Sequence, residues 1–393
     1  MAAIRIRTQR TTRTITRATP RRKSPRRNFN RTDPTGHRHR KRPQSRPQIP
    51  HKTGRCNLKL RYNAELQPYN SFGVSAKATC LAEIHASEDL EQAVELADSN
   101  DLPLLLLGGG TNVLFADDFP GMVLLMRNRG IEIDRESGLV HIAAGENWHD
   151  LVQTCLKNSL YGLENMALIP GSTGAAPVQN IGAYGVELES FFVELNLFDC
   201  EAGNTRVMNR EDCKFSYRDS ILKQPRPHPQ VVCSLTLQLQ RDPTPNLSYP
   251  TLAKELEPIA APTPQNIFDA VCQIRRRRLP DPTKIGNAGS FFKNPVISHE
   301  EFEQLSSRFD SPPSFPAKEG VKVPAGWLLE QCGFKGYTKG AAGVSERHAL
   351  VLINRGGATG KALHQLAIEM QARTQNEFGI HLEPEVRIIA ATA

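Results

Sequence analysis

The segment that most restricts the fold of this chain is ALIPGSTGAAPVQNIGAYGVE, at residues 167–187. Its glycines recur at Gly171, Gly174, Gly182 and Gly185. Most residues between them are small, so a long stretch of backbone can closely approach a phosphate group or a large flat ligand. Gln179 and Asn180 carry amides that can hydrogen-bond the edge of a heterocycle. A glycine-rich loop without a ligand is the alternative interpretation.

A second small-residue loop, LLGGGTNVLF, lies at residues 106–115. It contains three consecutive glycines and two polar residues, namely Gly108, Gly109, Gly110, Thr111 and Asn112. The loop lacks the Gly-Lys-Ser/Thr of a P-loop, and no helical pattern follows it, as the dinucleotide fingerprint requires. Alone, it is typical of an ordinary tight turn. Two such loops in one chain predict a dinucleotide held by main-chain amides.

The charge of the chain is divided unevenly. Of 49 basic and 41 acidic residues, 18 basic residues and one acid fall in residues 1–56, which leaves 31 basic and 40 acidic residues, a net charge of −9, in the remainder. The first segment lacks the apolar content that offsets the entropy cost of folding, so residues 1–65 are predicted to be a basic disordered tail. Three interpretations of this tail stay open: a nucleic-acid or membrane-surface arm, a transit peptide, and an upstream extension from a misassigned start codon.

Cysteine and histidine usage argues against a metal site. The eight cysteines form no CxxC pair and the eleven histidines form no HxxxH pair. We therefore expect neither a metal nor a disulfide framework, and a reducing cytoplasm is the simplest location. The longest apolar run, near residues 102–107, is too short to span a bilayer, and no signal-peptide pattern is visible, so no membrane partner is expected.

Apolar periodicity from Phe72 onward indicates mixed helices and strands. Helical patterns cover residues 87–97, 148–158, 325–332 and 363–378, and strand patterns cover residues 103–107, 123–126, 140–144, 193–199, 231–240, 290–293 and 382–389. The proline-rich residues 243–264 indicate a boundary or an excursion. Because no regular βαβ repeat is present, the pattern predicts an α+β fold.

Three further stretches combine polar groups that suit chemistry on an anion: KFSYRDSILK at 214–223, GNAGSFFKNP at 286–295 and HLEPEVRII at 381–389. Arg218 is a natural fork for a carboxylate or phosphate, and a surface pair with Asp219 is the alternative. Ser290 precedes two phenylalanines, where a satisfied core hydroxyl is the alternative. In the last stretch charged and apolar residues alternate, which puts Glu385 and Arg387 on one face of a strand. A solvent-exposed strand face without a catalytic role is the alternative interpretation.

Seven motifs follow one another between residues 69 and 389: LGGGTNVLF, AGENWHDLV, GLENMALIPGSTGAAPVQNIGAYGVE, FSYRDSILK, LPDPTKIGNAGSFFKNP, AGWLLEQCGFKG and LEPEVRII. In this order they closely resemble the UDP-N-acetylenolpyruvoylglucosamine reductase family, flavin enzymes of bacterial peptidoglycan synthesis. The PNLSYP segment resembles the first subtype of that family, in which a loop tyrosine covers the substrate. That residue would be Tyr249.

The resemblance implies an α+β architecture in two parts. An FAD-binding domain of the vanillyl-alcohol-oxidase (PCMH) type would span residues 66–242. An α+β substrate-binding domain would span residues 243–393, with its last strand returning to the active site. FAD would be bound non-covalently, and NADPH would be the co-substrate.

The implied reaction is the NADPH-dependent reduction of UDP-N-acetylglucosamine enolpyruvate to UDP-N-acetylmuramate through FAD. By motif position, Ser290 would donate a proton to the α-carbon, and Arg218 and Glu385 would polarise the carboxylate side of the substrate. A carboxylate beside a developing enolate requires a proton or a cation, so the pKa of Glu385 is expected to be raised. Arg387 is expected to orient Glu385.

The matching motifs also imply the ligand contacts. The substrate-binding residues would be Tyr217, Tyr249, Arg278, Lys293 and Asn294. The cofactor-binding residues would be Gly108, Gly109, Gly110, Thr111, Asn112, Pro170, Gly171, Ser172, Gly174, Ala175, Gln179, Asn180, Gly182, Ala183 and Tyr184. Two positions depart from the family pattern: arginine replaces a usual lysine at Arg278, which changes how a phosphate is held, and threonine replaces a usual serine at Thr111.

Two rival hypotheses stay open at this point. One is an oxidase of the same flavoprotein superfamily, many of which attach FAD through histidine or cysteine, although no such residue stands out in the two small-residue loops. The other is a nucleic-acid-binding protein that uses the basic tail, against which the negative charge of the remainder argues. An NADPH-driven assay tests the first hypothesis, and salt-sensitive DNA retention that depends on the tail tests the second.

Overall fold

The computed structural model describes residues 58–226 and 228–390. Residues 1–57 of the predicted tail therefore lie outside the described residues. The last residues of the predicted tail are ordered, because Lys59–Glu65 forms strand β1, which pairs antiparallel with strand β2, Lys77–Ile84. The prediction of disorder was thus wrong for residues 59–65. An edge strand of this kind is stabilised by its pairing with β2, which a local sequence pattern does not reveal.

The described residues contain eight α-helices: α1 (Ser87–Asp98), α2 (Trp148–Lys157), α3 (Arg210–Cys213), α4 (Pro250–Leu256), α5 (Pro264–Arg278), α6 (His299–Arg308), α7 (Ala325–Gln331) and α8 (Gly360–Phe378). Short 3-10 helices cover Gln67–Tyr69, Glu164–Met166, Thr173–Ala175, Pro177–Gln179, Leu188–Ser190 and Ile221–Lys223. None of these described helices combines the length and the apolar character needed to span a bilayer.

The first sheet is mixed and carries the first small-residue loop. Its order is β1-β2-β5-β3, with β3 at Leu104–Leu107 and β5 at Phe119–Met126, and β5 runs parallel to both β2 and β3. Helix α1 buries one apolar face, which consists of Leu90, Ala93, Val94 and Ala97. The helix predicted over residues 87–97 is confirmed, and Ala86 is its N-cap. Residues 108–112 follow β3 directly, so the sheet positions this loop.

The second sheet is antiparallel, with the order β11-β10-β12-β7-β6. These strands are β6 (Ile131–Asp134), β7 (Leu139–Ala143), β10 (Phe192–Asp199), β11 (Asn204–Asn209) and β12 (Gln230–Gln238). Three of them match predicted strands, namely those at 140–144, 193–199 and 231–240. Between β7 and β10 lie α2 and the second small-residue loop.

The C-terminal part forms two small antiparallel sheets. One has the order β13-β19-β18-β17, from β13 (Gly286–Asn287), β17 (Thr338–Lys339), β18 (Ala342–Val344) and β19 (Leu352–Asn354). The other has the order β14-β16-β15, from β14 (Val296–Ile297), β15 (Phe315–Pro316) and β16 (Val321–Lys322). Two further strand pairs join β8 (Gly182–Ala183) to β9 (Val186–Glu187), and β4 (Val113–Phe115) to β20 (Arg387–Ile389).

Two strand predictions differ from the structure. The strand predicted at residues 290–293 is absent, and Phe292 makes only an isolated bridge with Pro384. Of residues 382–389, only β20 is a strand, and it pairs in parallel with β4. The helix predicted over residues 363–378 is confirmed as α8, and Gly379, which follows its last residue, has the positive φ of +71° that suits a glycine at a helix end.

The buried apolar residues do not separate at position 242. One buried cluster joins the first sheet to Phe291, Phe292, α7 and α8. Another joins α4 and α5 to the second sheet and α2. Strand β20 likewise returns from the end of the chain to the loop after β3. The division into residues 66–242 and 243–393 therefore stays a prediction.

Candidate active site

A cleft of ≈ 1190 Å³ brings the chemically reactive side chains together. Ser290, Arg218 and Glu385 all line it, although they come from distant parts of the sequence. Its volume exceeds the usual 300–1,000 Å³ or so of small-molecule sites, so it has room for a large ligand or for two ligands. Among the described residues, no group of three or more His, Cys, Asp or Glu side chains is placed to hold a metal ion.

Ser290 is positioned by the two phenylalanines that follow it. Phe291 and Phe292 are 0% and 1% exposed, and their rings pack edge to face with centroids 5.1 Å apart. The backbone of Phe291 donates to the Leu350 carbonyl and accepts from the Glu385 amide, both at 2.8 Å. These contacts fix the serine at the edge of the core, where it faces the cleft, and they also tie it to Glu385.

Arg218 lies at the tip of a tight turn. Ser216 and Asp219 exchange backbone hydrogen bonds of 3.1 and 3.2 Å, which leaves Tyr217 and Arg218 as the two turn residues. Arg218 has a φ of +54°, a conformation that costs a non-glycine residue roughly 1–2 kcal/mol. Backbone strain of this size at a cleft residue is typical of functional sites.

The guanidinium of Arg218 contacts two carboxylates, and neither belongs to Asp219, the partner in the alternative interpretation. Its Nε lies 3.4 Å from Oε1 of Glu385 and its Nη1 lies 3.6 Å from Oε1 of Glu187, while its Nη2 donates to the Gly182 carbonyl at 2.6 Å. Nη1 is buried and has no hydrogen-bond partner in the protein. An incoming anion would satisfy that donor, so the arrangement favours a carboxylate or phosphate ligand.

Glu385 is held in a half-buried network of amides and cations. Asn112 donates from Nδ2 both to Oε1 of Gln179, at 2.9 Å, and to the Glu385 carbonyl, at 3.1 Å, and Gln179 Nε2 lies 3.5 Å from Oε1 of Glu385. Burial raises the pKa of the Glu385 carboxyl, and the nearby Arg218, Lys223 and Lys293 partly oppose that rise. The raised pKa agrees with the expectation from sequence. A carboxyl of this kind can hold a proton that an exposed glutamate would lose.

The charge lining the cleft fits a diphosphate-bearing ligand such as FAD. Its basic side chains, Arg218, Arg275, Arg276, Lys284, Arg347 and Arg355, outnumber its acidic ones, Asp150, Asp281, Glu346 and Glu385. Burial lowers the pKa of Arg275, the nearby Tyr184 and Cys272 oppose that change, and Arg275 forms no ion pair within the described residues. A buried cation without a counter-ion is costly unless an anion binds beside it. Arg275 therefore supports an anion in this cleft.

The two small-residue loops pack directly against each other. A Cβ on Gly109 would lie 2.9 Å from Cα of Gly171, and a Cβ on Gly110, whose φ is +61°, would overlap the Tyr69 carbonyl. Thr111 Oγ1 donates to the Pro170 carbonyl at 3.1 Å. Glycine is therefore required here by the approach of one backbone to another. The paired loops form one wall, on which Thr111, Asn112, Pro170, Gln179 and Gly182 line the cleft.

Comparison with known proteins identifies the family. Residues 281–389 match the model described as UDP-N-acetylenolpyruvoylglucosamine reductase, C-terminal domain, and residues 78–209 match an FAD binding domain. The UDP-N-acetylenolpyruvoylglucosamine reductase of Pectobacterium atrosepticum is 44% identical over 329 residues, which are 83% of this chain and 95% of that protein. The reductase of Ralstonia nicotianae is 44% identical over 330 residues, 82% of this chain and 96% of that protein.

The chain belongs to the UDP-N-acetylenolpyruvoylglucosamine reductase family. It is thus an FAD-binding oxidoreductase, as the motifs predicted.

Solved structures of low sequence identity support the predicted fold. The crystal structure of UDP-N-acetylenolpyruvylglucosamine reductase from Thermus caldophilus has a TM-score of 0.60 at 23% identity, and the match covers 85% of this chain and 99% of that one. 6-Hydroxy-D-nicotine oxidase from Arthrobacter nicotinovorans has a TM-score of 0.50 at 14% identity, with 83% and 87% coverage. The predicted fold class, an FAD-binding domain of the PCMH type with a C-terminal α+β domain, is confirmed.

In this reductase-family chain, one predicted cofactor residue has a different role. Asn180 is fully buried. Its side-chain Nδ2 donates to Glu187 Oε2 and to the Ser216 carbonyl, and its Oδ1 accepts from the backbone N–H of Glu189. Its side chain is therefore not available to the edge of a heterocycle, and it instead connects the second small-residue loop to the Arg218 turn.

The predicted cofactor residues that do not line the cleft are Gly108, Gly109, Gly110, Gly171, Ser172, Gly174, Ala175, Asn180, Ala183 and Tyr184.

None of the five predicted substrate residues lines the cleft. The Tyr217 ring has the Arg218 guanidinium carbon 5.2 Å and Lys322 Nζ 4.0 Å from its centroid. Tyr249 packs edge to face on Tyr184, with ring centroids 5.3 Å apart. Arg278 is exposed at the end of α5. Lys293 donates from Nζ to Glu383 Oε1 at 2.6 Å, and Asn294 Oδ1 accepts from the backbone N–H of Ala325, the first residue of α7, at 3.0 Å.

The structure adds several residues that the sequence did not single out. Lys223, Glu187, Lys322 and Arg275 all lie beside predicted site residues. Lys223 belongs to the FSYRDSILK motif, so a signal for it was present. Arg387 was expected to orient Glu385, but the cations that act on the Glu385 carboxyl are Arg218, Lys223 and Lys293.

Proposed function

We propose that this chain catalyses the NADPH-dependent reduction of UDP-N-acetylglucosamine enolpyruvate to UDP-N-acetylmuramate through FAD, in peptidoglycan synthesis. The observation that carries the proposal is the convergence of Ser290, Arg218 and Glu385 on one cleft beside the paired small-residue loops. The names of the relatives support the same substrate, since those proteins are UDP-N-acetylenolpyruvoylglucosamine reductases.

The reaction adds one hydride and one proton across the enolpyruvyl double bond. Bound FAD would supply the hydride, taken from NADPH, to the β-carbon. Negative charge then develops at the α-carbon and spreads into the adjacent carboxylate. The Ser290 hydroxyl, which faces the cleft, donates the proton to the α-carbon and so completes the saturated lactyl ether.

Arg218 and Glu385 stabilise the charge that develops during this step. The unsatisfied Nη1 donor of Arg218 would bind the substrate carboxylate, and its other contacts hold the guanidinium in place before the substrate arrives. Glu385, with its raised pKa, would share a proton with the same carboxylate rather than repel it.

The remaining ligand contacts belong to the same proposal. Thr111, Asn112, Pro170, Gln179 and Gly182 would hold FAD without a covalent bond, with residues 66–242 as the FAD-binding part and residues 243–393 as the substrate-binding part. Tyr217, Tyr249, Arg278, Lys293 and Asn294 would surround the sugar nucleotide. A cytoplasmic location is also proposed, because NADPH and nucleotide sugars are available there.

Half-reaction measurements under anaerobic conditions test the proposal. NADPH should bleach the visible flavin band, and UDP-N-acetylglucosamine enolpyruvate should restore it with formation of UDP-N-acetylmuramate. Acid precipitation should release the flavin into the supernatant. A flavin that NADPH does not reduce, but that molecular oxygen reoxidises after reduction by an alcohol or amine, would identify an oxidase and refute the proposal.

A further inference from the structure

Lys223 is a half-buried lysine that the proposed mechanism leaves without a role. It ends the 3-10 helix Ile221–Lys223, and the cap of that helix, Ser220, is 2% exposed. Ser220 donates from Oγ to the Val178 carbonyl at 2.7 Å, which anchors the helix to the second small-residue loop. The position of the Lys223 ammonium group is therefore set by a buried segment rather than by a mobile surface loop.

The first contact of Lys223 is with the backbone of the catalytic turn. Its Nζ donates to the Arg218 carbonyl at 3.1 Å. That carbonyl belongs to the residue with the strained φ of +54°. A strained conformation persists only where surrounding contacts hold it, and this hydrogen bond is one such contact. Lys223 thus helps to hold the turn that presents Arg218 to the cleft.

The second effect of Lys223 is electrostatic. The charged and titratable groups that face Glu385 are Arg218, Lys223, Lys293, Glu383 and Tyr217. Two of the three cations are already paired with another carboxylate, since Arg218 also faces Glu187 at 3.6 Å and Lys293 bonds Glu383 at 2.6 Å.

Lys223 differs from these two cations because it forms no ion pair within the described residues. Burial and the neighbouring Lys293 lower its pKa, and Glu383 and Asp219 oppose that change. Its charge is consequently the least compensated of the three. Charge of this kind acts strongly on a buried neighbour, because the interior screens it poorly.

We propose that Lys223 is a positioning residue: its ammonium group holds the Arg218 turn and adds positive charge to the surroundings of Glu385. This inference rests on the proposed function. Without Lys223, the buried Glu385 would keep its proton to higher pH, and Arg218 would be held less firmly. With Lys223, the Glu385 carboxyl can give up its proton closer to the pH at which the enzyme works, which favours proton exchange with the substrate.

Three variants separate these effects from a general structural role. Lys223→Met removes the charge and the donor but keeps a long side chain, whereas Lys223→Arg keeps both. Lys157→Met, at the exposed far end of α2, is the matched control. Glu385 is titrated by ¹³C NMR in glutamate-labelled holoenzyme, its signal being the one that Glu385→Gln removes. Flavin reoxidation by the enolpyruvyl substrate is measured in parallel.

In Lys223→Met, we expect Glu385 to titrate at higher pH than in the wild type. Reoxidation at neutral pH should fall by roughly tenfold or more, the scale on which a displaced catalytic group lowers a rate. Lys223→Arg and Lys157→Met should stay close to wild type in both measurements. If Lys223→Met does not fold, the Glu385 titration is measured in Lys223→Gln instead, which keeps a hydrogen-bond donor but lacks the charge, and the same rise in the titration pH of Glu385 is expected.

An unchanged Glu385 titration in the uncharged variant overturns the inference, whatever happens to the rate. The inference is also overturned if Lys223→Arg is as defective as Lys223→Met. A wild-type flavin that the enolpyruvyl substrate does not reoxidise would instead refute the proposed function, and the titration would still report whether Lys223 acts on Glu385.

Discussion

Replacing Glu385 by glutamine tests whether its carboxyl group acts in catalysis or only in folding. The Nε of Arg218 lies 3.4 Å from Oε1 of Glu385, and at an effective dielectric constant near 20 two unit charges at that distance attract by about 5 kcal/mol. Burial opposes this attraction strongly enough that the pKa of Glu385 is raised rather than lowered. The net contribution of the charged pair to folding is therefore small.

The stability of the Glu385→Gln protein should stay close to that of the wild type. Glutamine has nearly the same shape, and Arg218 keeps its contacts with the Gly182 carbonyl, at 2.6 Å, and with Glu187, at 3.6 Å. Catalysis should change far more. Loss of a group that shares a proton in the transition state commonly lowers a rate by about 10²–10⁴-fold, or roughly 3–5 kcal/mol.

Stopped-flow absorption of the bound flavin measures each half-reaction. We expect NADPH to reduce the flavin of Glu385→Gln near the wild-type rate, and the enolpyruvyl substrate to reoxidise it far more slowly. The matched control is Glu377→Gln, which breaks a 2.9 Å pair with Arg308 whose side chains are about half exposed, at 52% and 50%. That change should cost at most about 0.5 kcal/mol and leave both rates unaltered. Wild-type reoxidation in Glu385→Gln would remove Glu385 from the mechanism.

Three other predictions concern the serine, the N-terminus and a buried acid. Ser290→Ala should leave flavin reduction by NADPH intact and slow reoxidation by about 10²–10⁴-fold, and equal slowing of both steps would assign Ser290 a folding role. Deletion of residues 1–57 should leave FAD binding and melting temperature unchanged, whereas deletion of residues 1–66 removes β1 and the buried Leu66 and should lower both. Burial raises the pKa of Glu164 above its ordinary value, so the folded state keeps a proton that the unfolded state loses as pH rises. Glu164→Gln should therefore match the wild-type melting temperature at pH 4 and exceed it at pH 7, and a difference that does not change with pH would contradict the assignment.

Local patterns in the sequence determined the regular elements well. The apolar faces of α1 and α8 recur at helical spacing, and the helix boundary at Gly379 follows from the ability of glycine to adopt a positive φ. The order of the motifs was sufficient to indicate the family. The stretches around Ser290, Arg218 and Glu385 each left a structural alternative open, and the roles proposed for these residues came from the resemblance to the family.

Patterns that depend on distant partners were predicted less well. Strand β1 was taken for part of a disordered tail, because its order comes from pairing with β2. The stretch around Ser290 was taken for a strand, but its position comes from two phenylalanines inserted into the core. Asn180 was assigned to the cofactor, although its amide is satisfied by the protein itself.

From the sequence it was possible to read the reactive side chains and those helices and strands whose apolar spacing is local, such as α1 and α8. Only the tertiary structure decided the environment of those side chains. The raised pKa of Glu385 depends on burial and on cations from residues 218, 223 and 293. The pairing of the two small-residue loops depends on contacts between residues about sixty positions apart, such as Thr111 and Pro170. Electrostatic energy varies with distance and solvent exposure, and neither quantity is a property of local sequence.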